Sequence, residues 1–407
     1  MYRRNLVFAA ACLGMLLFGV VFLSLGSVNN MLAERFHLDN NSIGTLTFLL
    51  PFGILLGSLV FGSYADRYGY KLMLIVCALL VSLGLEGIAF CQSALVVKLS
   101  ILLIGFGGGV LNGATNALAA DLSEGERGAK LSLLGVFFGL GALGMPFTLA
   151  ALSRTYSLVA IVAGIGLLVL LPITYFLWTT FPPPKQQTEA FSVLESLALF
   201  RQPVLLLAGL VLAVQSGMEG MSNDWTTRYF RKVTLAAFEG AQVEQKCLYA
   251  LSALVGAMIV TRLILGVLLK TASGQRVLFA SLGFTAIGAL VVMSGHGYGL
   301  AVAGMVLIGI GLSACFPVVL GLVGELYPAK TGTVFSTVFV AALIGNMTIN
   351  KALGFIAQNF GISQYTKVML FCLVCSGILL SLVFKRIRKT HSHPITTHEQ
   401  CRQTVAR

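Results

Sequence analysis

Gln215, Glu219 and Asn223 recur at intervals of four residues in an otherwise apolar stretch. On an α-helix that spacing puts all three on one face. Two more pairs repeat the interval, Asn112 with Asn116 and Asn346 with Asn350. An amide donates and accepts hydrogen bonds at once, which suits a hydroxyl-rich or zwitterionic ligand. A carboxylate among such amides can carry a proton, hold sodium or pair with a base such as Lys351. Glu219 is the one acid expected near mid-bundle beside these stripes, so it is the expected coupling residue. Hydrogen bonding between helices, worth about 0.6 kcal/mol per contact on average, is the competing use of the same amides. Trp225 can stack on a ligand ring, or it can join Tyr229 and Phe230 in an aromatic belt at the membrane surface.

The elements that must position these residues are membrane spans. Of 407 residues, 57% are hydrophobic and 10% are charged, and the mean hydropathy is +0.91. A soluble domain carries about 25% charged residues. Apolar runs of about 20 residues, each matching a bilayer-crossing helix, recur along the chain. Twelve spans are expected near 6–28, 43–64, 71–91, 97–119, 131–152, 157–179, 204–224, 248–269, 277–295, 298–320, 332–356 and 364–384. The fold class is therefore an all-α membrane protein, and the lipid bilayer is its first partner.

A proline-rich, polar segment at 181–203 divides the spans six and six. It predicts a bundle over 1–180, a linker over 181–203, a second bundle over 204–385 and a tail over 386–407. "GSYADRYGYKLML" (62–74) and "GVLLKTASGQRVL" (266–278) stand after spans two and eight, a weak repeat at half the chain length. An even number of spans puts both termini on one side. Lys and Arg on that side outnumber those opposite nearly two to one, which makes it cytoplasmic. The net charge of +12 is mostly this bias; it argues weakly for anionic lipid and not for nucleic acid. The N-terminal run lacks a convincing cleavage site and suits a retained first span.

The remaining ionisable residues carry less. Glu86 is expected to snorkel, and Arg262 is close enough to a span end to reach headgroups. Lys351 can meet a substrate carboxylate or a partner acid. "CLVC" (372–375) lies within a span with no second pair, and the tail "HSH" is a solvated end, so no metal site and no cofactor are expected. No phosphate-binding loop is present, so an ion or solute gradient must supply energy.

"GSYADRYGYK", Gly62 to Lys71, falls between spans two and three. It resembles the loop signature of the major facilitator superfamily: Gly, three residues, Asp, Arg, any residue, Gly, any residue, then a base. With the span count, central linker and half-repeat, the resemblance covers essentially the whole chain. It implies two six-helix bundles, transport by alternating access, and a charge latch formed by Gly62, Asp66, Arg67, Gly69 and Lys71. Gly62 would let two helices touch, and Gly69 would permit the tight turn. Topology control by basic residues alone is the competing reading of this loop.

A narrower resemblance rests on "SLGSVNNMLAERF" (24–36), "GFGGGVLNGATNALAADL" (105–122) and "SGMEGMSNDWTTRYF" (216–230). These are similar to the fucose/glucose/galactose permease branch, in which acidic residues stand at the positions of Asn30 and Asn112. The resemblance adds Asn30 to the expected substrate contacts, with Asn112, Asn116, Glu219 and Trp225. It implies import of a sugar or other small polar solute, coupled to protons or sodium, by a monomer in a bacterial inner membrane. Export of drugs or other amphipathic compounds on the same fold is the alternative, and a sensor that has lost transport is a third reading.

Overall fold

A computed structural model of the chain describes residues 2–122, 127–183, 201–235, 241–269, 271–295, 297–327 and 331–391. The regular structure of these residues is helical, with no strand among them. Twelve helices are long and apolar enough to cross a membrane. The first six are α1 (Arg4–Arg35), α2 (Asn40–Phe61), α3 (Tyr68–Phe90), α4 (Ala94–Ala119), α5 (Leu133–Leu152) and α6 (Leu158–Trp178). The last six are α7 (Pro203–Thr234), α8 (Gln242–Leu268), α9 (Gly274–Met293), α10 (Tyr298–Leu326), α11 (Thr337–Phe360) and α12 (Ile362–Arg388).

Small residues set the packing. A Cβ on Gly53 of α2 would sit 3.0 Å from the Cα of Gly105 on α4, and one on Gly107 of α4 would sit 2.8 Å from the Cys77 carbonyl oxygen on α3. Gly19 and Gly141 bring α1 against α5 in the same way. The pattern recurs six helices later. Gly345 brings α11 against α7 at Ala213, Gly309 brings α10 against α8 at Leu254, and Gly288 meets Gly304 between α9 and α10. Without a hydrophobic drive between helices in lipid, backbone approach of this kind is what holds them together. Three lines of contact join the two sets: α1 to α7, α2 to α11, and α5 to α8.

With twelve helices crossing in alternation, the start of α1 and the end of α12 lie on one face of the bundle, called here the near face; the opposite face is the far face. α2 and α3 meet on the near side, where Gly69 takes φ 75°, a left-handed conformation that glycine adopts without strain. The Lys71 ammonium donates to the Leu177 carbonyl at 2.6 Å, and the Tyr70 hydroxyl donates to Asp121 at 2.8 Å. The other latch positions, Gly62, Asp66 and Arg67, lie outside the residues whose side chains are described. So does most of the predicted linker, and so does the tail from residue 392 onward.

Candidate functional site

The middle of the bundle is organised by α7. Glu219 is buried there, and its Oε1 accepts a charge-assisted hydrogen bond from Nη2 of Arg262 on α8 at 3.0 Å. The Arg262 side chain keeps 31% of its surface exposed. The expectation that Arg262 reaches headgroups is thus corrected. One turn before it, Ile259 lies against Gly139 of α5, so this face of α8 looks toward the other half and not toward lipid. A charge there needs a partner or water, and Glu219 supplies the partner.

The other members of the α7 stripe have separate tasks. Gln215 donates to the Leu312 carbonyl at 2.8 Å, beside the break in α10 at Ser313 and Ala314. Asn223 is buried with its Oδ1 unpartnered among the described residues. On α11, Asn346 donates to the Ser216 carbonyl at 3.0 Å and Asn350 donates to Asn346 Oδ1 at 2.8 Å. The Trp225 indole N–H completes this chain, donating to Asn350 Oδ1 at 3.0 Å. Trp225 is fully buried, so in this state it offers no face to a ligand. Tyr229 and Phe230 are buried too, which overturns their placement in an interfacial belt. The reason is packing: the Tyr229 ring lies 5.2 Å from Tyr365 of α12, and Phe230 lies 6.0 Å from Tyr298 of α10.

Asn112 and Asn116 stay within the first half. Asn116 donates to the carbonyl and side-chain oxygens of Asn112 at 2.9 and 3.0 Å, and both residues are half-buried. Among the described residues, no hydrogen bond joins this pair to the stripe of α7.

A recess lies where the halves meet. Phe22 of α1 and Leu50, Pro51 and Ile54 of α2 form its apolar side. Gly220, Asn223 and Asp224 of α7 and Asn346 of α11 form its polar side. Its free space, counting the part open to solvent, is about 250 Å³. Glu219 is not the only carboxylate inside. Asp224 is buried with no hydrogen bond from a described group to its carboxylate, and Glu244 of α8 is half-buried and accepts from Asn30 Nδ2 at 3.1 Å. Sequence reasoning missed both because it ended one span at 224 and began the next at 248. The helices run past their apolar stretches, to Thr234 and from Gln242.

The far face is closed. Asn29 donates to the Asp224 carbonyl at 2.6 Å, Asn30 to the Thr227 carbonyl at 3.1 Å, and the Thr227 hydroxyl to the Gly26 carbonyl at 2.8 Å. Arg228 donates to Asn40 at 2.8 Å, and Arg231 pairs with Glu34 at 2.8 Å. Asn40 donates to the Ala357 carbonyl at 2.8 Å, and Lys351 donates to Asn41 and Thr45 at 2.9 and 2.7 Å. Arg154 donates to Gln245 at 2.7 Å. Lys351 therefore braces α11 against α2 and does not meet Glu219. Asn30 stands in this seam and does not line the recess. Asp39, in the loop before α2, accepts the Ser42 N–H at 2.8 Å, and that cap holds its carboxyl below the ordinary range. These bonds between the two halves all gather on the far face.

Known proteins share this architecture. The transporter y4wD of Sinorhizobium fredii, described as uncharacterized, is 26% identical over 91% of this chain and 94% of its own. The D-xylose-proton symporter structure superposes with a TM-score of 0.78 at 15% identity, covering 92% of this chain and 97% of that one. The nucleoside transporter NupG gives 0.75 at 15% identity, over 95% of this chain and 99% of that one. At such identities the likeness of the structures speaks for the fold alone. The sequence profile described as Major Facilitator Superfamily matches residues 7–268 and 236–404, and the chain is a multi-pass membrane transporter that belongs to this superfamily.

Proposed function

We propose that this transporter moves a small polar solute, of the sugar class, by alternating access, with a proton carried on Glu219. The observation that supports this is the Glu219–Arg262 pair at mid-membrane beside a recess whose polar wall is Asn223, Asp224 and Asn346. While ionised, Glu219 holds the guanidinium. A proton on Glu219 cancels that attraction and frees a partly exposed cation that carries further donors. Proton occupancy and the position of Arg262 are then linked. The amides of Asn223 and Asn346 offer donors and acceptors to hydroxyls. The polar stripes of α7 and α11 favour a sugar over an amphipathic drug, whose cavity would be more apolar and aromatic. The partly exposed Arg262 also favours acidic sugars within that class.

In this reading the bundles 1–180 and 204–385 rock against each other about the linker 181–203. The protein is a monomer in a bacterial inner membrane, with both termini in the cytoplasm. The closed far face is then the outer one, and the state is inward-facing.

The test is transport by reconstituted vesicles across a panel of neutral and acidic sugars, with and without a proton gradient. Glu219→Gln mimics the protonated acid. It should keep counterflow exchange and lose gradient-driven accumulation across a pH series. Accumulation that survives removes Glu219 from coupling. Loss of both activities makes it a binding or structural residue.

A further inference from the structure

Asp224 has no part in the proton step above, yet the carboxylate of this buried residue has no compensating partner among the described residues. Arg228 is engaged on Asn40, Arg231 on Glu34, Lys351 on Asn41 and Thr45, and Arg262 on Glu219. Among the described residues no donor reaches the Asp224 carboxylate. A bare charge at this depth is strongly unfavourable, so something must neutralise it.

We propose that Asp224 binds a sodium ion in the recess it shares with Asn223 and Asn346. The surplus of acceptors decides between an ion and a proton. Asn223 is a residue of the recess wall, and its Oδ1 is buried and unpartnered among the described residues. Asn29 Oδ1 is a second orphan acceptor, on the side chain whose Nδ2 holds the Asp224 carbonyl. Asn346 Oδ1 accepts one bond from Asn350 and keeps a free lone pair. A proton on Asp224 would serve one of these oxygens. A cation serves several at once.

The charge and the donor set narrow the ion. One carboxylate balances one positive charge, whereas a divalent ion would leave net charge in the membrane interior. Carboxylate and amide oxygens are hard ligands, without the nitrogen or sulfur that transition metals favour. The heart of the recess has room for about one water-sized guest. A sodium ion stripped of most of its water matches that space. The site shares Asn223 and Asn346 with the wall offered to the solute above, but it does not rest on the proton step, because it holds whether Glu219 carries a proton or only anchors Arg262.

The test uses the purified full-length chain in detergent, with no solute present. Binding of radiosodium is measured at fixed pH and at ionic strength held constant with choline. Wild type should bind saturably, with choline unable to compete. Asp224→Asn should raise half-saturation at least about tenfold, and Lys367→Gln, exposed at the far-face start of α12, should bind as wild type does. In a Trp178→Phe background, Trp225 beside the site is the remaining tryptophan, and its emission should follow the same isotherm. Absence of saturable binding by wild type overturns the site. So does an unchanged isotherm in Asp224→Asn, or a Trp225 response that acid reproduces and sodium does not. If Asp224→Asn does not fold, Asn223→Ala must raise half-saturation, and an unmoved value overturns the site. None of these readings depends on uptake, so failure of the Glu219 experiment leaves them intact.

Discussion

Gly26→Ala should open the far face. Gly26 is where α1 touches the backbone of α7. A Cβ there would overlap the Asn223 carbonyl oxygen and lie 2.8 Å from its carbon and 3.2 Å from the Asp224 Cα. These are helix backbone atoms and cannot swing aside, so α1 must retreat by on the order of 1 Å. Such a retreat takes the Asn29, Asn30 and Thr227 bonds, at 2.6, 3.1 and 2.8 Å, toward or past the hydrogen-bond limit. At about 1 kcal/mol net for each bond, the loss is about 3 kcal/mol. That is roughly a hundredfold shift away from the closed far face. Spin labels at His37 and Lys367, both exposed on the far face and one in each half, read the separation directly. The wild-type distance distribution should be dominated by one short component, and Gly26→Ala should replace it with a longer one at unchanged thermal stability. Superimposable distributions would refute the argument that this one contact limits how the seam closes.

Gly69→Ala forces an L-residue into φ 75°, at about 1–2 kcal/mol; a lower thermal midpoint in detergent should report it, and an unchanged midpoint would mean that the turn relaxes. Asp66→Asn should leave membrane insertion intact and shift the resting state toward inward-open, as the latch reading requires. Cysteine labelling at the two cavity mouths measures that shift, and equal accessibility in mutant and wild type would defeat the latch.

The fold was legible because hydropathy and length report directly on a bilayer. All twelve spans were placed, and the six-plus-six repeat reappears in the glycine contacts. The ends of the spans were not legible. α7 carries Asn223, Asp224, Thr226, Thr227 and Arg228 through buried positions to a wide π turn at Phe230–Thr234. Apolarity marks where lipid touches a helix, and this stretch touches protein instead. The same fact hid Asp224 and Glu244 and suggested a belt for Tyr229 and Phe230. Spacing did place Gln215, Glu219 and Asn223 on one face, but a shared face does not fix a shared task. Gln215 holds a carbonyl of α10, Glu219 holds Arg262, and Asn223 lines the recess. Which base meets Glu219 was beyond spacing altogether, because Lys351 and Arg262 sit on different helices and their crossing with α7 is a tertiary fact.

The two acids of α7 stand five residues apart, about 7.5 Å along the axis, and sit in different surroundings. Glu219 belongs to a pair within the second half, so rocking the halves apart leaves its partner in place. Asp224 sits in the seam. Its carbonyl is held by Asn29 of α1, and the apolar wall of its recess comes from α1 and α2. Opening the far face removes that wall and admits water to the carboxylate. A cation bound in the recess therefore meets a different site in the open and closed states. If it binds the closed site more tightly, it draws the seam shut by the ratio of its two affinities. By reciprocity, a closed seam tightens the cation by the same factor. Glu219, with its partner unmoved, gains no such leverage over the far face; on the proposed reading, a proton there acts on Arg262 and on the solute that guanidinium would meet. Gating of the far face and coupling at mid-membrane can thus be carried by separate carboxylates on one helix.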